Sequence, residues 1–187
     1  MESALAFTSR SEFERWLEEN HDRSDGVWLK AYKKGFGSNA LRSTDVLDPL
    51  LCYGWITGQA RKGTDEYVLW WVCPRRRNSL WSKVNVGHAE RLIREERMRP
   101  SGLREVEAAR KDGRWDAAYP SPRDAALPAD FLRKVNRNGR AREFLKGLNR
   151  SEVYAIVFRL HNTKDPKRRE EKIVRIVEML ERGETFH

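Results

Sequence analysis

The run EYVLWWVC at residues 66–73 is almost continuously apolar, β-branched and aromatic, and it stops at Pro74. That composition reads as a buried strand, and a buried strand needs a partner. VWLKAYKKG, which follows the turn Asp25-Gly26, supplies one: Val27, Leu29 and Ala31 face one way and Trp28, Lys30 and Tyr32 the other. Gly35 and Gly37 end that strand.

Helical spacing governs most of the rest. Ser9-x-x-Glu12 has the capping-box pattern and opens a helix whose stripe is Phe13, Trp16 and Leu17. Val46, Leu47, Leu50 and Leu51 mark a helix that either starts at Pro49, with Asp48 as N-cap, or bends there. Gly54 and Gly58 bracket Trp55-Ile56, a short extended or turn element. After PRRRNS, Asn85 caps a helix with Val86, Ala89, Leu92 and Ile93 inward, and Pro100 starts another that runs to Gly113. Residues 116–130 hold three prolines and read as an irregular crossing. Beyond it Phe131 to Val135, Phe144 to Leu148, a helix capped by Ser151, and a last helix capped by Asp165 with Pro166 in its first turn complete an all-helical third. The expected fold class is α+β: a small, mostly antiparallel sheet packed with helices over residues 1–120, then a helical part over 121–187, together one compact unit.

At 187 residues the chain can bury a real core without disulfides. Its two cysteines, Cys52 and Cys73, make no disulfide framework, and no signal peptide or membrane span is visible, so the expected location is the cytoplasm. The net charge of +9 is uneven: −2 over residues 1–60, +6 over 61–104, −2 over 105–130 and +7 over 131–187. Two basic blocks on a shared face attract polyanions; on opposite faces they serve solubility only.

The segment Cys73-Pro-Arg-Arg-Arg-Asn-Ser-Leu-Trp-Ser-Lys-Val-Asn85 is the most informative. Arginines leaving a strand beside a helix N-terminus offer bidentate donors, free N–H groups and a partial positive charge, which together make an anion-binding corner. The candidate ligand-binding residues are Arg75, Arg76, Ser79, Trp81, Ser82 and Asn85, with Trp55 as an aromatic wall. The competing reading makes Ser82 and Asn85 caps, Trp81 core and the arginines a solvated loop. Likewise Trp55, Trp70, Trp71, Trp81 and Trp115 form either a stacking platform for single-stranded nucleic acid or core packing, and packing is the simpler reading. The run Lys164–Lys172 puts cations at a helix start, where the dipole disfavours them; Glu170 and Glu171, a partner or a ligand is expected to compensate, and a solvated, internally paired face is the simpler reading.

Catalytic templates fit poorly. His88-Ala-Glu90 has the His-x-Glu spacing of zinc deaminases, but no Pro-Cys-x-x-Cys follows it. Metal sites need more His and Cys than the chain offers, and no nucleophile elbow, P-loop or dinucleotide fingerprint is present. No catalytic residue, metal or cofactor is assigned. Cys52 and His88 are the residues an enzyme would have to use.

The order of motifs SEFERWLEENH, VWLKAYKKG, LLCYGWITG, CPRRRNSLWSKVN, MRPSGLREVEAARKDGRW and TKDPKRREEKIVRIVEML resembles the YdeI/OmpD-associated, or bacteriocin-protection, family. Gly54-Trp55-Ile56, Pro74-Arg75-Arg76, Ser79-x-Trp81-Ser82-x-x-Asn85 and Gly102-Leu103 carry the resemblance, and the final third is similar to the family's C-terminal helical module. The resemblance implies a mixed α/β part followed by a helical one, and a role in resisting antimicrobial peptides or envelope stress. The expected function is therefore a cytoplasmic, stress-associated protein that binds an anionic small molecule or an acidic protein partner. The rival readings are a sequence-indifferent nucleic-acid binder using both basic blocks, and an enzyme of unassigned reaction.

Overall fold

A computed structural model of the protein describes residues 4–36 and 40–186, so the expectation placed on Gly37 lies outside the described residues. The chain divides into two compact units, Met1–Ala118 and Tyr119–His187.

The larger unit is built on a three-stranded antiparallel sheet of β1 (Val27–Tyr32), β2 (Trp55–Lys62) and β3 (Tyr67–Pro74), in the order β1-β3-β2. The apolar run is thus the central strand and pairs with β1 in the register Val27↔Val72 to Tyr32↔Tyr67. Only Val72 of β3 is fully buried, fewer than the run's composition predicts. Cross-strand partners share a face. One face sets Leu29 and Ala31 beside Trp70 and Val68 and, at Val72, closes on the core. The other carries two ring pairs, Trp28–Trp71 and Tyr32–Tyr67, each with centroids 5.6 Å apart. Apolar residues on β3's second face therefore lie half-buried among one another, with Arg61 over Trp28 and Lys30 over Tyr67.

Where Gly54 and Gly58 suggest only a short extended or turn element at Trp55-Ile56, β2 runs on to Lys62. A register shift between Thr57 and Ala60 explains how a glycine sits there. A Cβ at Gly58 would lie 3.1 Å from Trp71 Cδ1, so the bulge lets the Trp71 ring close over bare backbone.

Among the described residues, four α-helices and a short 3-10 helix at Ser43–Asp45 complete this unit. In α1 (Arg10–Asn20) the Ser9 hydroxyl accepts the Glu12 N–H, while the Glu12 carboxylate reaches past it to the N–H and hydroxyl of Thr8, at 2.6 and 2.7 Å. Helix α2 (Leu47–Cys52) starts two residues before Pro49, so Asp48 is not its cap; its carboxylate points to α3 instead. Pro49 stays in the first turn, where its missing N–H costs nothing. In α3 (Lys83–Arg94) the N-cap is Ser82, which accepts the Asn85 N–H at 3.0 Å; Asn85 is the third helical residue. α4 (Pro100–Lys111) begins at its proline as expected. Phe13, Leu17, Leu50, Leu51, Trp55, Trp81, Leu92 and Val106 form the centre of the core.

The smaller unit is helical: α5 (Ala129–Val135), α6 (Gly139–Lys146), α7 (Arg150–His161) and α8 (Pro166–Glu181). Asn149, not Ser151, caps α7, in a full capping box with Glu152. Phe131, Val135, Ala141, Ile156, Leu160, Ile173, Ile176 and Leu180 close its core. Among the cations at the start of α8, Arg169 is compensated from α5 and not within the helix. Arg169 takes Asp130 through Nε at 2.6 Å and Nη2 at 3.0 Å and also donates to Leu160 O, while Glu170 binds Lys134 at 2.8 Å. Among the described residues no helix is long and apolar enough to cross a membrane.

Candidate functional site

Arg75 leaves β3 with its backbone N–H on Gly54 O at 3.0 Å, which fastens the start of β2 to the end of β3. Its guanidinium lies over the Trp81 ring at 3.6 Å and donates to Leu80 O at 3.2 Å, leaving the residue 6% exposed. Trp81 packs on Trp115 at 4.9 Å and is 2% exposed. The arginine loop is a closed turn. Ser79 Oγ accepts the Arg76 N–H at 2.8 Å, and Ser79 O accepts Arg114 Nη1 at 2.9 Å. Ser82 and Asn85 are joined as cap and capped N–H, and Arg76 is exposed. Of the seven candidate residues, Trp55 and Arg75 share a cavity; the other five hold the turn, the helix start and the core.

That cavity, of about 150 Å³, is where residues far apart in sequence converge. His21 and Tyr53 line it beside Gly54, Trp55, Pro74 and Arg75, and the first two turns of α4 add Ser101, Arg104 and Glu105. Trp55 is held in place by donating its Nε1–H to His21 O at 3.1 Å. Helix α4 arrives uncapped, since Arg99 makes no side-chain cap bond, and its N-terminal dipole points the same way as the cations. The Ser101 hydroxyl is buried with no hydrogen-bond partner among the described residues. A buried hydroxyl without a partner costs about 1–3 kcal/mol, which a bound acceptor would recover. Asp22 and Glu105 offset the two arginines, so the cavity suits one anionic group better than several. The sequence places Ser101 and Arg104 only within a helix; it is the close approach of α4 to Gly54, whose carbonyl takes the Arg75 N–H, that brings them to Arg75.

A second constellation is centred on Asp48. Arg91 Nη2 reaches both its oxygens at 2.7 Å, His88 Nδ1 lies 2.9 Å from Oδ1, and Arg10 and Arg97 stand at 3.8 and 4.0 Å. Burial alone would raise this carboxyl, but the hydrogen bonds from Arg91 and His88 outweigh it and hold Asp48 below its ordinary value. The His88/Arg91 spacing on one face of α3 is visible in sequence; the carboxylate that joins them is not.

Cys52 is buried, and burial pushes its thiol up to about 11, far from thiolate at neutral pH. Burial also raises Cys73. Among the described residues no group of three His, Cys, Asp or Glu side chains is placed to hold a metal ion.

Two family comparisons follow the division into units. Residues 5–105, more than half the chain, match the family described as Domain of unknown function (DUF8412). Residues 124–183 match the OmdA family, described as Bacteriocin-protection, YdeI or OmpD-Associated. Neither the search of curated proteins nor that of solved structures returned a significant match. The chain therefore belongs to the DUF8412 family through residues 5–105, and its residues 124–183 are similar to the family described as Bacteriocin-protection, YdeI or OmpD-Associated.

Proposed function

We propose that the chain is a non-catalytic, cytoplasmic, protection-associated protein whose larger unit binds a small ligand through a single carboxylate or phosphate group. The observation that carries this reading is the unpartnered, buried Ser101 hydroxyl in a cavity also lined by Arg75 and Arg104, at the uncapped start of α4. The cavity's volume, about 150 Å³, matches a ligand or ligand group of roughly benzene size. The family description supports association with bacteriocin protection, and two free thiols suit a reducing compartment. A thiol held near 11 speaks against Cys52 as a nucleophile.

Isothermal titration with inorganic phosphate and a panel of small carboxylates and phosphate monoesters tests it. A ligand that binds the wild type should lose about 10- to 100-fold in affinity in Arg104→Ala, the worth of one charge-assisted hydrogen bond. Ser101→Ala should lose less, and Arg76→Ala, outside the cavity, should bind as before. Equal binding by Arg104→Ala and wild type, or no heat from any member of the panel, would discard the site.

A further inference from the structure

α8 is segregated by charge along its length. Arg168, Lys172, Arg175, Met179 and Arg182 recur at intervals of four, three, four and three residues, which places them on one flank of a helix with 3.6 residues per turn. Glu170, Glu171, Glu178 and Glu181 occupy the neighbouring flank, and Ile173, Ile176, Val177 and Leu180 face the core. The cationic flank is concave. Two adjoining hollows of about 500 and 550 Å³ share Lys172 and Arg175 and so form one trough along the helix. Arg168 and Arg175 are exposed and make no ion pair or side-chain hydrogen bond among the described residues. Lys172 is aimed by the Thr163 hydroxyl at 2.7 Å, and Arg182 by Glu184 at 3.0 Å. At one end the floor turns apolar, with Ile176, Met179 and the Phe186 ring, over which Arg159 lies at 3.8 Å.

We propose that this trough binds single-stranded nucleic acid. From Arg168 to Arg182 the four cations span about 21 Å at 1.5 Å per residue, the reach of about six stacked nucleotides. Exposed guanidinium groups without a carboxylate partner match phosphate oxygens in geometry and charge. The apolar end with Phe186 gives an unstacked base a surface to lie on, which a duplex, with its bases already stacked, cannot use. Glu171 and Glu178 line the same trough and oppose a polyanion, so they set an upper limit on affinity and provide a test of sign.

The experiment is fluorescence anisotropy of a labelled single strand of about 12 nucleotides with the full chain, from about 50 to 200 mM salt. Log affinity should fall linearly with log salt at a slope of about −2.8, roughly −0.7 for each of four phosphates engaged. Arg168→Gln with Arg175→Gln should shallow the slope by about 1.4 and weaken binding at least about tenfold at low salt. Glu171→Gln with Glu178→Gln should tighten binding, a gain that damaged folding cannot imitate. Arg76→Gln with Arg77→Gln, an equal charge loss in the larger unit, should leave affinity within about twofold. Duplex of the same length bound as tightly as single strand, an unchanged affinity in the arginine double variant, or preference for vesicles of anionic lipid would each overturn the assignment.

Discussion

Asp48 turns two residues of α3 and two distant arginines into one network, and its energetics can be read by acid titration. The carboxyl lies below its ordinary value in the folded chain because the Arg91 and His88 hydrogen bonds more than offset burial; Asp130, bound by Arg169, is also lowered. A carboxyl depressed on folding stabilises the protein fully above its unfolded value of about 3.9 and loses that contribution as pH falls through the folded value. Urea midpoints should therefore hold with respect to these two groups from neutrality to about pH 5 and decline below about pH 4. Asp48→Asn should cost about 1–2 kcal/mol at neutral pH, less than a fully buried ion pair because Arg91 is partly solvated. Below about pH 4 the variant and wild type should converge. Parallel curves across the whole range would mean that Asp48 is not ionised in the folded state, or that its ion pairs add nothing.

At the scale of elements, the sequence was clear where chain-local chemistry decides and mute where a neighbour does. β1, β3, α4 and α8 follow from alternation, from a proline stop and from Asp-Pro or Pro-Ser starts, all of which act within a few residues. β2 was cut short because Gly58 reads as a breaker; only the Trp71 ring across the bulge makes glycine the fitting residue there. The caps at Asn85 and Ser151 were misplaced by three and two residues, because in each case another Ser or Asn close by could do the same work. Trp55 and Arg75 were legible as site candidates, but Ser101 and Arg104 were not, since a helix start meets a sheet end only in three dimensions. Gly102 is a further case of contact across elements. A Cβ there would lie 2.6 Å from Leu51 O and closer still to Cys52 O, both rigid backbone at the end of α2. Gly102→Ala should thus destabilise by more than about 2 kcal/mol, although alanine in a helix interior normally gains about 1 kcal/mol. Gly87→Ala on α3, with nothing within 4 Å, should gain about 0.5–1 kcal/mol. The pair is read from urea midpoints, and equal shifts of the same sign would refute the close approach of α4 to α2.

For the molecule as a whole, charge and core both divide at the same place. The smaller unit holds 16 basic and 10 acidic side chains, net +6, against +3 for the larger unit, though the smaller has only 69 of the 187 residues. Self-repulsion of that size needs a core to oppose it. The smaller unit has one of its own, with Phe131, Val135, Ala141, Leu160 and Leu180 fully buried and Arg169 tying Asp130 of α5 to the last turn of α7. A single core in about 70 residues supplies at most roughly 3–5 kcal/mol, a level that would keep above about 99% of the unit folded. Residues 119–187 expressed alone should accordingly give a helical far-UV spectrum and one cooperative urea transition. Raising salt from about 50 to 500 mM should shift that transition upward as the net charge is screened. A non-cooperative transition would mean that this core is incomplete without the rest of the chain. A transition that moves down with salt would mean that attractive ion pairs such as Arg169–Asp130 and Lys134–Glu170, and not repulsion, dominate the unit's electrostatics.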